Sequence, residues 1–169
     1  MAKYAIVRLD NMQGTVVGTK LRSAKFFKGE EKAEVMNGII VELGGLLEGE
    51  RELVKAVAAT AETKKGKLAL VASPEVIYDE RLQYNLDEFI NGKDEAIRCY
   101  ILCTNDIFSV TTEGFEVVPE VGQGVVMGDN GMMKGETQDE GEALSDASIG
   151  ECIAIDVVDG HNFYVIEVK

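Results

Sequence analysis

The sequence predicts a mainly β protein of many short antiparallel strands, with one or two short helices. Short apolar or alternating runs recur, separated by Gly, Asn and Asp. Most of the runs are rich in β-branched residues, which suit a pleated, half-buried surface. Helix signals, by contrast, are few and short.

In chain order the strand-like runs are Tyr4–Leu9, Gly38–Leu43, Leu53–Ala58, Lys67–Ala72, Ile97–Cys103, Ile107–Thr111, Gly124–Met127, Cys152–Val158 and Phe163–Val168. The last two are joined by Asp159-Gly160-His161-Asn162, the strongest hairpin signal in the chain. Asn130-Gly131, between Gly124–Met127 and Met132-Met133, is the second. One or two helical turns are expected at Asn85–Ile90, where Asn85 is placed to cap, Asp87 and Glu88 fill the first turn and Asn91-Gly92 stops it. Glu30–Met36 is a weaker helix candidate. The strand spacing after Asn91–Glu95 suggests a small barrel or sandwich in the C-terminal half. Residues 1–92 then form an N-terminal β-rich part and residues 93–169 a compact C-terminal one, with a soft boundary that also allows a single domain. Gly135-Glu136 and the polar stretch up to Glu142 read as an exposed acidic loop.

Composition narrows the function. At 169 residues and 46% hydrophobic, the chain can hold a core without metal or disulfide staples. A net charge of −13 repels nucleic acid phosphates, and the densest basic run, Lys64, Lys65 and Lys67, is explained by a solvated turn. No run approaches the roughly 18 apolar residues of a membrane span. The opening Met1-Ala2-Lys3-Tyr4 lacks the pattern of a secretory signal, so a cytoplasmic origin is expected. Cys99, Cys103 and Cys152 are too few, even with the single His161, to suggest a zinc site, and they read as small buried hydrophobes.

A catalytic constellation is not evident. His161 falls at the predicted hairpin turn, and none of the five serines lies in a Gly-x-Ser-x-Gly elbow. The glycines at 122, 124 and 128 bracket a strand instead of opening a helix, so they make no phosphate cradle. Glu48, Glu50 and Glu52, the pairs Asp79–Glu80 and Asp87–Glu88, and Asp129 read as solvated acids. A small carboxylate-dependent hydrolase is the weakest of the alternatives. No catalytic residue, cofactor or metal is therefore expected. The expected output is adhesion, through strand edges able to extend a partner's sheet. Residues 1–18 form a candidate docking arm, with Tyr4, Ile6 and Arg8 as candidate partner-binding residues; the rival reading makes this stretch the first strand of the core.

Several segments, taken in order, carry a resemblance. They are Met1–Asp10, Leu47–Leu53, Ala72–Arg81, Asn85–Ile90, Asp106–Thr111 and Phe163–Val168. Together they resemble small head proteins of tailed bacteriophages of Gram-positive, especially clostridial, hosts, similar in role to capsid decoration or cement proteins. The resemblance spans nearly the whole chain as texture and order, with no single diagnostic motif. It implies a virion protein, assembled in the host cytoplasm, that binds the major capsid protein on the outside of the head and stabilises the shell. Trimers are expected by analogy, and another virion or tail-associated β-rich structural protein is the alternative. It implies no catalytic residues.

Overall fold

The computed structural model describes residues 3–76, 86–136 and 143–169. Among them are thirteen strands in two sheets, and helical structure is limited to single 3₁₀ turns. The mainly β class is as the strand pattern predicts. The strands are β1 (Val7–Asn11), β2 (Leu21–Lys28), β3 (Glu31–Lys32), β4 (Ile40–Leu46), β5 (Leu53–Ala58), β6 (Leu68–Val71), β7 (Ile97–Ile101), β8 (Ile107–Thr111), β9 (Phe115–Val117), β10 (Gly124–Met127), β11 (Met133–Gly135), β12 (Gly150–Val158) and β13 (His161–Val168).

The first sheet closes into a five-stranded barrel. Its order is β2-β5-β4-β6-β7, and β7 returns to pair with β2, while β3 hangs on β2 as a flap. The closure thus uses residues 21–101, earlier in the chain than the C-terminal strand spacing suggests. β2 makes the difference. It pairs in parallel with β5 over Ser23–Phe27 and antiparallel with β7 over Leu21–Ala24. Small side chains fit the narrow interior: Ala24, Ala56, Ala69 and Cys99 lie there with Val41, Val54, Val71 and Ile97, all buried.

The second sheet is open, in the order β1-β8-β13-β12-β10-β11-β9. Its inward face contributes Phe108, Val110, Val125, Met133, Tyr164 and Ile166, which pack with Ile40, Leu68, Leu70, Tyr100 and Leu102 from the barrel's outer wall. β6 therefore lies between two cores, with Ala69 and Val71 facing the barrel interior and Leu68 and Leu70 facing the sheet. Such two-sided burial explains its unbroken apolar sequence, Leu68-Ala69-Leu70-Val71. Phe115 meets Tyr164 edge to face across this core, with ring centroids 5.2 Å apart.

Both hairpin signals form. Val158 pairs with His161 around Asp159-Gly160, whose φ values of 50° and 80° belong to the tight turn that matches strand twist. His161 is therefore the first residue of β13 and is half-buried, outside the turn proper. β10 and β11 pair around the Asp129–Gly131 turn. The helix candidate at Glu30–Met36 is instead extended: Glu31–Lys32 is β3, and Val35 bridges to Asn91. Sheet pairing to β2 overrides a weak local preference there. Within the helix candidate at Asn85–Ile90, Leu86–Glu88 forms a single turn, and Asn85, its candidate cap, lies outside the described residues. Of the acidic loop, residues 137–142 also lie outside them.

Candidate interaction surface

The N-terminal stretch lies along an edge of the open sheet. Tyr4 is half-buried, and its N–H donates to the Asp87 carbonyl at 2.8 Å. Ile6 is 9% exposed; its N–H donates to Thr111 Oγ1 at 3.1 Å and its carbonyl accepts from the Thr111 N–H. Arg8 stands opposite Ser109, which stands opposite Val165, which stands opposite Ala154, so this row crosses four strands on the outer face. Its guanidinium lies 4.8 Å from the Phe163 ring, 2.7 Å from Asp156 Oδ2 and 3.3 Å from Ser109 Oγ. Ser109 donates in turn to Asp10. Of the three candidate binding residues, Ile6 is thus committed to the core and Arg8 to an internal polar network. Ile6 immediately precedes β1 and Arg8 lies within it, and among the described strands β1 pairs only with β8.

The larger exposed feature is the far half of β12, which the sequence reading treated only as a strand. β10 covers β12 at Gly150 and Glu151, and the segment before β10 reaches Cys152 through the Gly122 N–H (2.7 Å) and the Gln123 carbonyl (2.9 Å). Among the described residues, β12 beyond Cys152 is paired only with β13. A bulge between Cys152 and Ala154 shifts the register by one residue. In a strand that shift exchanges faces, so Cys152 can enter the core and Ile155 can still share the inward-facing row of Val7, Val110 and Tyr164. Ile155 lies past the part of the sheet that the barrel covers. It is 41% exposed, and Val157, two residues on, is 72% exposed. Ile153 and Val158 are also exposed, and Val121 is exposed beside the point where Gly122 meets Cys152.

The backbone of this segment is open as well. A two-residue turn closes on a hydrogen-bonded pair, here Val158 and His161, and bonding then alternates along the ladder. Ile155 and Val157 consequently point their N–H and C=O groups away from β13, and no described backbone group meets them. The result is an apolar stripe beside an unpaired strand edge, the arrangement that strand addition requires.

A second apolar exposure lies at the turn Gln13–Thr15, where Val16 is 87% exposed and Val17 follows it. The turn is fixed: Gln13 N–H donates to Asp106 Oδ1 at 2.7 Å, and the added Cβ of any replacement at Gly14 would meet the Tyr100 ring at 2.8 Å. The Asp106 carbonyl also accepts from the Val168 N–H at 2.9 Å, so this turn sits at the opposite end of β13 from Asp159-Gly160. At the usual rise per residue, an eight-residue strand separates the two ends by roughly 25 Å.

No group of three or more His, Cys, Asp or Glu side chains among the described residues is placed to hold a metal ion. Cys99 and Cys152 are buried and Cys103 is half-buried. Burial pushes the Cys99 thiol up to about 12 and also raises Cys152, so both are poor nucleophiles. A groove of about 440 Å³ runs beside β3, lined by Phe26, Val35, Met36, Ile39 and Val57 among others. No described helix is long and apolar enough to cross a membrane.

Comparison with family models, with curated proteins and with solved structures finds no match in any of the three.

Proposed function

We propose that the chain is a structural adhesion protein that decorates the outside of a bacteriophage head and stabilises the shell. The observation that carries the proposal is the far half of β12, which no described strand covers and which presents Ile155 and Val157 beside open backbone groups. Exposing such an edge invites aggregation, and proteins ordinarily blunt it with charge, proline or a covering loop. Keeping it apolar makes sense where another protein surface covers it.

The Val16–Val17 turn supplies a second apolar contact at the other end of β13, within the 1–18 docking stretch. A rigid body with separated contacts suits a bridging role, in which one end grips the shell and the other a neighbour. Weak contacts repeated over many equivalent sites stabilise the assembled state, because binding only that state favours it by mass action. The charge of −13 suits a position apart from packaged DNA, and the resemblance to phage head proteins directs the proposal to capsids.

The test is co-sedimentation of the purified chain with expanded heads that lack it, followed by a heat challenge. Saturable binding that raises the temperature of head rupture is expected, and Val16→Asp should weaken it at least tenfold. Heads that neither bind the chain nor gain heat resistance would overturn the proposal, and retention on tails alone would replace it with a tail-associated role.

A further inference from the structure

We infer that the far half of β12 takes an extended segment of a partner protein in which aliphatic and basic residues alternate, added as a further strand. This rests on the adhesion reading and deepens it by naming the chemistry of the surface that covers the edge.

Backbone geometry limits where such a strand can lie. The Gly122 N–H and the Gln123 carbonyl already hold Cys152, and the bulge that follows takes Ile153 out of the alternation. The usable edge is therefore residues 154–158. Within it Ile155 and Val157 turn their backbone groups outward, so each offers a partner strand one donor and one acceptor.

Side chains then set the partner's sequence. Ile155 and Val157 are 41% and 72% exposed on one face, so residues standing opposite them gain most by being aliphatic. Asp156, between them, lies on the other face, and that face is acidic. Arg8 is shared between Asp156 at 2.7 Å and Asp10 at 3.5 Å. Further along the same face, Lys169 is shared between Glu167 at 2.6 Å and Glu151 at 3.6 Å. Asp159, in the turn that ends the edge, is exposed and has no ion-pair partner among the described residues. Two acids to each cation leave this face negative, and a lysine or arginine across from Asp156 supplies the missing charge. An acidic segment, or a second chain at −13, meets repulsion there. Two bonding residues make a contact well below the roughly 800 Å² per partner of a standard interface, so Kd for a free peptide should be on the order of 100 μM. Repetition over a shell makes such a contact effective.

Short capped peptides titrated against the full chain test this, with binding read from the amide chemical shifts of Ile155 and Val157 and from fluorescence anisotropy. A peptide alternating valine and lysine should bind at about 50 mM NaCl and weaken roughly fivefold or more at about 500 mM. Its glutamate counterpart, a peptide with the lysines regrouped at one end, and a lysine peptide N-methylated on the amides that face β12 should each bind at least tenfold more weakly. Equal binding by any of the three, or no binding by the alternating peptide, overturns the inference. In the chain, Val157→Pro removes an outward donor without breaking a bond to β13 and should weaken binding at least tenfold. Asp156→Asn should weaken it roughly fivefold, and Val16→Asp should leave it unchanged. Indifference to Asp156→Asn or to a folded Val157→Pro counts against the edge, as does a loss with Val16→Asp. Should Val157→Pro not fold by circular dichroism, the N-methylated peptide decides. Failure of the peptide leaves head binding through the Val16–Val17 turn standing, while a chain that binds the peptide and ignores heads sinks the capsid reading alone.

Discussion

Inside the barrel the Cys99 thiol is fully buried, and this has a consequence for stability at high pH. Its folded value of about 12 lies above the ordinary 9.0, so the folded state holds the proton more tightly than the unfolded state. That contribution is complete below about pH 9 and is lost as pH rises toward 12, because the unfolded thiol ionises first. Three units correspond to at most about 4 kcal/mol. Urea midpoints at pH 8 and pH 10.5 should show wild type losing more stability than Cys99→Ala, and equal losses would contradict the burial argument. Gly38 is a second decisive residue. Its φ is +84°, and an added Cβ would meet Val110 Cγ1 at 2.8 Å and Ala5 Cβ at 3.1 Å. Gly38→Ala should therefore cost about 1–3 kcal/mol in denaturant unfolding, through both backbone strain and overpacking.

Among the elements, β2 has the most influence on the fold and the least visible sequence. Leu21-Arg22-Ser23-Ala24-Lys25-Phe26-Phe27-Lys28 contains no β-branched residue, so the usual strand signal is absent. Only its alternation is informative: Ala24 and Phe26 pack in the barrel core while the polar Ser23 and Lys25 alternate with them. Its partners confer the rest, through parallel pairing to β5 and antiparallel pairing to β7. The narrowness of the closed barrel makes its small residues critical. Ala56→Leu should destabilise the chain by about 1–3 kcal/mol, whereas the same enlargement at exposed Ser23 should change thermal stability little. β12 presents the opposite case. Its strand character is plain from Cys152–Val158, but its bulge and its uncovered half are not, since the same alternation would suit a strand flanked on both sides.

For the molecule as a whole, the barrel wall and the open sheet share one continuous core. Leu70 and Tyr100 from one sheet pack in the same cluster as Phe108, Tyr164 and Ile166 from the other. β7, which follows the soft boundary at residues 92 and 93, closes the barrel begun by β2. Unfolding should accordingly be a single cooperative transition, with calorimetric and van't Hoff enthalpies equal. Two resolved transitions would mean that the sheets fold as separate units. The net charge of −13 places no restriction on the fold, but it repels any acidic partner at low salt.

The sequence by itself determined the strand-rich class, both hairpins and their turns, because alternation and turn residues act within a few positions of the chain. It also marked Tyr4–Leu9 as a strand, though not which of its side chains would be used internally. Only the tertiary structure decided which strands close the barrel, that Arg8 reaches Asp156, and that β12 emerges from cover after Cys152. Those outcomes depend on contacts between segments distant in the chain, such as Leu21 with Tyr100, Gln123 with Cys152 and Arg8 with Asp156. A side chain's exposure is set by where the neighbouring strand ends, and that information lies in the neighbour.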